Sequence, residues 1–274
     1  MAQLDQYLAR IGHHGPVKPD LATLISIHRA QAMSVPYEGI DVYSGIPLDH
    51  SIDGIFRKIV ENRRGGWCYE SNGLLGWALQ TVGFNVMRAA AGVYRSQRGD
   101  TALGNHVILL IRLDQTYLAD LGLGDALRVP IPLSEGIHDH GPHSFRLEKL
   151  PDGYWRFHNH ALGSPTDFDF LDTPADEDLL SQKCSFLQTS PTSAFVETFE
   201  CIAMRPTTSL TILGRVLRAT SPNGIEKRLI TSPDDMTTIL ARDFGITNAP
   251  ISPIWPRILA RHAQLFGSED AVPV

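Results

Sequence analysis

The hydrophobic pattern of the chain changes between Gly83 and Asn85, and this change limits the fold more than any other feature. Before it, apolar residues recur at helical spacing, which predicts helices over residues 4–11, 20–33, 53–61 and 68–82. After it, short runs rich in β-forming residues predict strands over residues 86–94, 106–113, 116–121, 145–150 and 154–158. Helices followed by hairpins of short strands predict an α+β fold with an N-terminal helical bundle and a central antiparallel β-barrel-like domain.

The last third of the chain mixes both patterns. Residues 166–178 are acidic and flanked by prolines, which indicates a boundary. Strand-like alternation over residues 206–217 and 226–231 precedes a helix start at Ser232, a helix end at Gly245 and a last helix after Pro256. We therefore predict a helical domain at residues 1–84, a β-barrel-like domain at 85–190 and a C-terminal α/β lid at 191–274.

Composition excludes several classes of function. The 274 residues are 43% hydrophobic, so core material is not limiting, and the net charge is −6 with no basic block, so no nucleic acid partner is expected. No apolar run approaches the ~20 residues of a membrane helix, so no membrane partner is expected either. Three cysteines without metal spacing fit a reducing, cytoplasmic location. The sequence leaves open whether the chain forms a homodimer.

The segment Asn62-Arg63-Arg64-Gly65-Gly66-Trp67-Cys68-Tyr69-Glu70 carries the first candidate for chemistry. Two glycines allow a backbone turn, and the turn delivers Cys68 to the start of a predicted helix. Unpaired N–H groups and the helix dipole stabilise a thiolate at that position, and Arg63 and Arg64 are expected to act in the same direction. The alternative is an ordinary buried thiol, because free cysteine is among the most buried residue types.

His106 and Asp120 are the candidate partners of Cys68. His106 opens one predicted strand, Asp120 ends the next, and a short turn containing Asp114 joins the two strands. A hairpin is antiparallel, so the start of its first strand lies near the end of its second. A cysteine nucleophile needs a base to accept its proton and a third group to orient that base, and these three residues supply those roles. Taken singly, a hydrogen-bonded core histidine and a turn aspartate remain the alternatives.

These segments also carry a resemblance to a known family. Arg64-Gly65-Gly66-Trp67-Cys68-Tyr69-Glu70, Asn105-His106 with the apolar run after it, and Asp120-Leu121-Gly122-Leu123-Gly124 resemble the signature segments of the arylamine N-acetyltransferases. Val35-Pro36-Tyr37-Glu38 is similar to a further family segment, and weaker likeness continues around Glu226 and Gly245. The chain differs from the usual family pattern at Gly39, Trp67 and Leu123.

The resemblance implies a function and a set of roles. It implies transfer of an acetyl group from acetyl-CoA, as co-substrate and without a metal, to arylamines, hydrazines or N-hydroxyarylamines through an acetyl-cysteine intermediate. By position, the catalytic residues are Cys68, His106 and Asp120, in a cysteine-protease-like core. The resemblance also implies that Glu38 pairs with Arg64 and braces the cysteine loop.

Transfer has to exceed hydrolysis, so the acetylated cysteine needs shielding from water. The residues predicted to form that wall are Tyr37, Tyr69, Val93 and Leu123. Together with Gly124, whose tight backbone leaves room for the acceptor, they are predicted to bind substrate. The polar, glycine-bearing segment 95–104 is predicted to be a loop over the site. Plain core packing is the alternative for the side chains of the wall.

Three further hypotheses compete with this one. His138, Asp139, His140 and His143 could ligate a metal, but the surrounding Gly and Pro indicate a solvated loop, so no metal site is predicted. A cysteine hydrolase or amidase of the papain or transglutaminase type can share Cys, His and Asp in this order. A non-catalytic binding protein could keep the fold with an inert Cys68.

Overall fold

The computed structural model describes residues 2–268. Its N-terminal part consists of helices α1 (Gln3–Ile11), α2 (Leu21–Ser34), α3 (Ile40–Tyr43), α4 (Ile52–Phe56) and α5 (Cys68–Val82), with the π-helical turn Arg57–Glu61 continuing α4. The four helices predicted here are confirmed. Asp20 caps α2 by accepting from the Thr23 N–H at 2.9 Å, and Gly83 ends α5 at φ 106°.

The central part of the chain is an antiparallel, nearly closed β-barrel-like sheet. Its spatial order is β5 (Ile131–Pro132), β4 (Thr116–Ala119), β3 (His106–Arg112), β2 (Asn85–Val93), β9 (Asp167–Phe170), β8 (Trp155–His158), β7 (His143–Lys149) and β6 (Gly136–His140). Four phenylalanines pack in its interior, with Phe157 and Phe168 stacked at 4.8 Å between ring centroids. The predicted fold class is confirmed.

A second, five-stranded antiparallel sheet is built mostly from the C-terminal part. Its order is β1 (Tyr37–Glu38), β10 (Glu200–Met204), β11 (Ser209–Leu213), β12 (Val216–Ser221) and β13 (Gly224–Leu229). The short strand β1 comes from the N-terminal third, and Tyr37 pairs with Ile202. This pairing ties the segment before the cysteine loop to the C-terminal sheet. The division at residues 84 and 190 stays a prediction.

Helices cover and connect the two sheets in the second half of the chain. They are α6 (Arg95–Arg98), α7 (Glu177–Thr189), α8 (Ala194–Glu197), α9 (Pro233–Ile239) and α10 (Ile251–Phe266). Ser232 caps α9 as predicted, accepting from the Asp235 N–H at 3.1 Å. The last helix begins before the predicted position, and Pro256 lies inside it. The α10 side chains Trp255 and Ile258 pack into the core of the C-terminal sheet.

Three polar segments, one predicted as a boundary and two as loops, have regular structure. The acidic stretch 166–178 contains β9, a central strand, because the Asp169 carboxylate is buried against Arg156 at 2.6 Å and its charge is compensated. The segment predicted as a loop over 138–143 is the β6–β7 hairpin. Residues 95–104 form α6 and the 3₁₀ turn Gly99–Ala102.

Within residues 2–268, no helix combines the length and the apolar content needed to cross a membrane.

Candidate active site

Cys68 is the first residue of α5, as predicted, and the loop before it is held by close backbone contacts. A Cβ on Gly65 would lie 2.1 Å from the Pro36 carbonyl oxygen, and one on Gly66 would lie 2.7 Å from the Glu70 Cβ. Both positions require glycine because of close approach. The left-handed backbone of the turn is instead at Arg63, with φ 52°.

A buried cluster of charges braces this loop. Arg64 Nε lies 3.0 Å from Glu38 Oε1, and its Nη2 lies 2.9 Å from Asp41 Oδ1, so the predicted ion pair between Glu38 and Arg64 is present. Lys58 Nζ bridges Asp41 at 3.0 Å and Glu70 at 2.9 Å. The charge of Arg64 is compensated within the cluster. The expectation that it stabilises a Cys68 thiolate is therefore corrected, and its place in the structure is that of a brace.

The β3–β4 hairpin brings His106 and Asp120 together, as the sequence predicts. Leu109 pairs with Ala119, so His106 at the start of β3 lies beside the residue that follows β4. His106 Nε2 lies 2.9 Å from Asp120 Oδ2, and both residues are only 1% exposed. A buried carboxylate bonded to one ring nitrogen fixes the orientation of the imidazole and leaves Nδ1 for exchange of a proton.

The second oxygen of Asp120 is also fully engaged. Oδ1 accepts from Asn72 Nδ2 and from the Gly122 N–H, both at 2.8 Å. Burial by itself raises the pKa of this carboxyl, but the His106 imidazole and these hydrogen bonds outweigh burial and hold the pKa below its usual value. The Asp120 N–H donates to His28 Nε2 at 3.2 Å, and burial lowers the pKa of His28 to about 4, which keeps that ring neutral.

The environment of the Cys68 sulfur differs from the sequence-based expectation. Burial raises the pKa of the thiol, and the nearby Cys184 and Asp120 raise it further. Backbone hydrogen bonds from Val107 and Tyr69 lower it. Burial is the largest of these effects, so the helix terminus alone does not produce a thiolate. A thiolate at this position requires transfer of the proton to a neighbouring base, and the resulting ion pair offsets part of the cost of burying a charge.

Cys68 and His106 line one cavity of about 330 Å³. Tyr37, Val93 and Leu123, three of the residues predicted to bind substrate, line the same cavity. Its wall thus combines a thiol, an oriented imidazole and apolar surface.

Comparison with known proteins identifies the family. A family model described as N-acetyltransferase matches residues 20–250, well over half of the chain. An arylamine N-acetyltransferase from Mycolicibacterium smegmatis is 32% identical over 257 residues, which cover 89% of this chain and 91% of the relative. The chain belongs to the arylamine N-acetyltransferase family.

Other relatives and solved structures agree. Arylamine N-acetyltransferase 2 of Macaca mulatta is 31% identical, over 74% of this chain and 78% of the relative. The structure of the Mycobacterium marinum arylamine N-acetyltransferase in complex with CoA matches with a TM-score of 0.84 at 27% identity, covering 94% of this chain and 97% of the other. The family resemblance seen in the sequence is confirmed, and so is the predicted enzyme class, an acyltransferase.

Two other residues predicted to bind substrate do not line this cavity in the part of the chain that the structure describes. The Tyr69 hydroxyl donates to the Gly104 carbonyl oxygen at 2.5 Å and lies 3.1 Å from the Leu180 carbonyl oxygen, and its ring faces a neighbouring cavity. Gly124 adopts φ 80°, and a Cβ there would lie 2.4 Å from Ile202 Cδ1, so it packs behind the wall. Their placement is that of structural supports in this member of the arylamine N-acetyltransferase family.

The structure adds residues that sequence reasoning missed. Asn72 lies four residues after Cys68 on α5, and residues four apart share a helix face, so this spacing was the available signal. A Cβ on Gly122 would lie 2.4 Å from the Cys68 Cβ, so the glycine lets the strand end approach the thiol. Phe195, Glu200 and other C-terminal residues complete the cavity wall.

Within residues 2–268, no group of three or more His, Cys, Asp or Glu side chains is arranged to hold a metal ion. In the β6–β7 hairpin, His140 pairs with His143, and His138 pairs with Phe145.

Proposed function

We propose that this chain is an acetyl-CoA-dependent arylamine N-acetyltransferase that works through an acetyl-cysteine on Cys68. The family of the chain and the M. marinum structure in complex with CoA support the choice of substrates. The observation that carries the mechanism is the buried contact of 2.9 Å between His106 and Asp120, beside a cavity that Cys68 also lines. A thiol, a base and an orienting carboxylate are the groups that acyl transfer through a cysteine requires.

In the first step, Cys68 gives its proton to Nδ1 of His106, and its sulfur attacks the carbonyl carbon of the acetyl thioester. A new carbon–sulfur bond forms, and the bond between the acetyl carbon and the sulfur of coenzyme A breaks. The proton held by His106 then passes to the departing coenzyme A thiolate. Asp120 remains ionised and stabilises the transient imidazolium, as its lowered pKa favours.

In the second step, the amine nitrogen of the acceptor attacks the acetyl carbon on Cys68. His106 accepts the surplus proton of the nitrogen, the carbon–sulfur bond breaks, and the proton returns to the Cys68 sulfur. The two half-reactions share one thiol and one base, which gives a ping-pong sequence. Water competes with the amine for the same carbon. Tyr37, Val93 and Leu123 line the cavity, and shielding of the acetyl carbon from water by these side chains favours transfer over hydrolysis in the proposed mechanism.

Intact-protein mass spectrometry after incubation with acetyl-CoA, without an acceptor, tests this function. We expect a single acetyl adduct on the wild-type protein, its removal on addition of an arylamine, and no adduct on Cys68→Ala. Cys184→Ala is the matched control and should still form the adduct, since Cys184 does not line the Cys68 cavity. An adduct that persists in Cys68→Ala would contradict the proposal. Release of coenzyme A thiol that does not respond to the amine would instead indicate a hydrolase.

Two points stay predictions from the sequence: the cytoplasmic location, and the absence of nucleic acid and membrane partners. Whether the chain forms a homodimer stays open.

A further inference from the structure

The cavity contains a carboxyl group that the proposed mechanism does not use. Glu200 is the first residue of β10, and side chains alternate between the faces of a strand, so Glu200 and Ile202 share a face. Both line the cavity with Cys68. Cys201, between them, is fully buried in the core of the C-terminal sheet. The pairing of Tyr37 with Ile202 holds this end of β10 against the cysteine loop.

Glu200 stands out from the rest of the wall. Among the residues described by the structure, it is the one acidic side chain lining this cavity, next to apolar groups such as Leu123, Phe195 and Ile202. Across residues 2–268, its carboxylate has neither a hydrogen-bond donor nor a cation as partner, although its backbone oxygen accepts from the Gly39 N–H at 3.2 Å. Three other acids near the active site, Glu38, Asp41 and Asp120, all have partners.

Glu200 is partly buried, and the loss of solvent around its unpartnered carboxyl has a definite electrostatic effect. Desolvation raises the pKa of Glu200 to about 7, and no other interaction contributes to this rise. Partial desolvation of an unpaired carboxylate is unfavourable, so a ligand that brings a hydrogen-bond donor or a positive charge to it gains more than it would in water. A ligand carboxylate at the same position is disfavoured. It is repelled by the like charge of ionised Glu200, and it displaces water from the Glu200 carboxyl without replacing the hydrogen bonds of that water.

Resting on the proposed function, we propose that Glu200 determines acceptor specificity. It favours arylamines whose ring carries a second nitrogen that is cationic or donates hydrogen bonds, and it disfavours arylamines that carry a carboxylate. While the acceptor amine faces the acetylated Cys68, the second substituent lies toward β10. Glu200 also borders an adjoining cavity of about 200 Å³, which gives such a substituent room.

Other ionisable groups surround this carboxyl, and the test has to separate their effects. Tyr37, Cys68, Arg98 and His106 line the same cavity, and Asp125, Arg218 and Lys227 line the adjoining one. Groups that act on the chemical step change the rates of all acceptors together. In the ratio of rates for two acceptors that differ in the charge of one ring substituent, that common effect cancels. The ratio therefore reports on the charge near the substituent, which is the proposed position of Glu200.

The experiment compares Glu200→Gln with wild type and with Glu226→Gln, a matched substitution at an exposed position of β13. Each protein is acetylated with acetyl-CoA, the adduct on Cys68 is verified by mass spectrometry, and the rate of its removal is measured with 4-aminobenzylamine, 4-ethylaniline and 4-aminobenzoate. We expect the preference for 4-aminobenzylamine over 4-aminobenzoate to fall about tenfold or more in Glu200→Gln and to stay at the wild-type value in Glu226→Gln. A preference in Glu200→Gln within about twofold of wild type would overturn the proposal.

A second measurement needs no variant and stands if Glu200→Gln does not fold. In wild type, the rate ratio of 4-aminobenzylamine to 4-ethylaniline should rise several-fold from about pH 6 to about pH 8, because Glu200 loses its proton in that range while the benzylic nitrogen stays charged. A flat ratio would also overturn the proposal. If Cys68 of wild type forms no acetyl adduct, the proposed function itself fails; if the adduct forms and the ratios do not respond, only the role of Glu200 fails.

Discussion

Two thiol–imidazole pairs lie on either side of the Trp67–Tyr69 segment, and their environments differ. Cys68 and His106 line the candidate active site, whereas the Cys184 sulfur lies 3.4 Å from His50 Nε2 beside another cavity of about 360 Å³. Cys68 begins a helix, while Cys184 lies in the middle of α7. Proximity of a thiol to an imidazole therefore does not by itself distinguish the two sites.

The difference lies in what holds each imidazole. His106 Nε2 is hydrogen-bonded to the buried carboxylate of Asp120. His50 instead stacks on the ring of Tyr69, and its two ring nitrogens lie 3.4 and 3.5 Å from the Cys184 sulfur. Within residues 2–268, no carboxylate is hydrogen-bonded to His50. A base that accepts a proton needs its positive charge stabilised and its second nitrogen fixed, and only the His106 pair has this arrangement among the described residues.

The largest expected effect comes from the orienting carboxylate. Asp120→Asn should reduce kcat/KM for acetyl transfer by about 10³ to 10⁴, because an amide cannot stabilise the imidazolium and favours the wrong tautomer of His106. Asp49→Asn, next to His50 on an exposed segment, is the matched control and should change the rate by less than about twofold. The measurement is steady-state release of coenzyme A with a fixed arylamine. Equal losses of kcat/KM in Asp120→Asn and Asp49→Asn would contradict the claim that a carboxylate distinguishes the His106 pair from the His50 pair.

The second prediction concerns the brace of the Cys68 loop, whereas Cys184 lies within a regular helix. Arg64→Met leaves Glu38 and Asp41 buried with only Lys58 to compensate them, so we expect a loss of about 3–5 kcal/mol in the free energy of unfolding. Arg63→Met is the control at an exposed neighbouring position and should change the free energy by less than about 0.5 kcal/mol. Urea unfolding followed by tryptophan fluorescence measures both, and similar losses for the two variants would argue against the brace.

The parts of the site that the sequence predicts are local. The pattern of a strand, a turn and a second strand is enough to predict that His106 lies beside Asp120. A turn followed by a helical pattern is enough to predict that Cys68 begins a helix. The direction in which each neighbouring side chain points is harder to predict from the sequence. Successive helical residues point about 100° apart, so Tyr69 next to Cys68 faces a different cavity.

The parts that the sequence does not predict depend on contacts between distant segments. Alternation along β10 indicates which residues share a face, but it does not identify the partner strand, and that partner is the two-residue strand β1 from the N-terminal third. This pairing places Glu200 and Ile202 of β10 beside the segment that precedes the cysteine loop. Likewise, the acid-rich segment 166–178 contains a central strand because Asp169 meets Arg156 in space, and composition carries no sign of that contact.

A third, smaller effect is expected at equivalent positions of the two helices. Asn72 follows Cys68 by one helical turn and donates to Asp120, and Gln188 follows Cys184 by the same spacing, with Nε2 3.5 Å from its sulfur. Asn72→Ala should reduce kcat about ten- to hundredfold, the range expected for loss of a hydrogen bond to a charged group. Gln188→Ala should leave kcat within about twofold of wild type. A loss in kcat for Gln188→Ala as large as that for Asn72→Ala would show that helix packing, and not the hydrogen bond to Asp120, is responsible.

The smallest effect is the difference in reactivity between the two thiols themselves. Burial raises the pKa of both, that of Cys184 to about 12, so neither is a free thiolate at neutral pH. Any faster alkylation of Cys68 by iodoacetamide then measures the contribution of His106, which accepts the proton, and of Asp120, which stabilises the imidazolium; we expect about a tenfold difference. In Asp120→Asn the rate at Cys68 should fall toward that at Cys184, whereas Asp49→Asn should leave both rates unchanged. Equal rates in wild type would instead support a binding protein with an inert thiol, because an imidazole that does not activate the sulfur toward iodoacetamide cannot activate it toward a thioester.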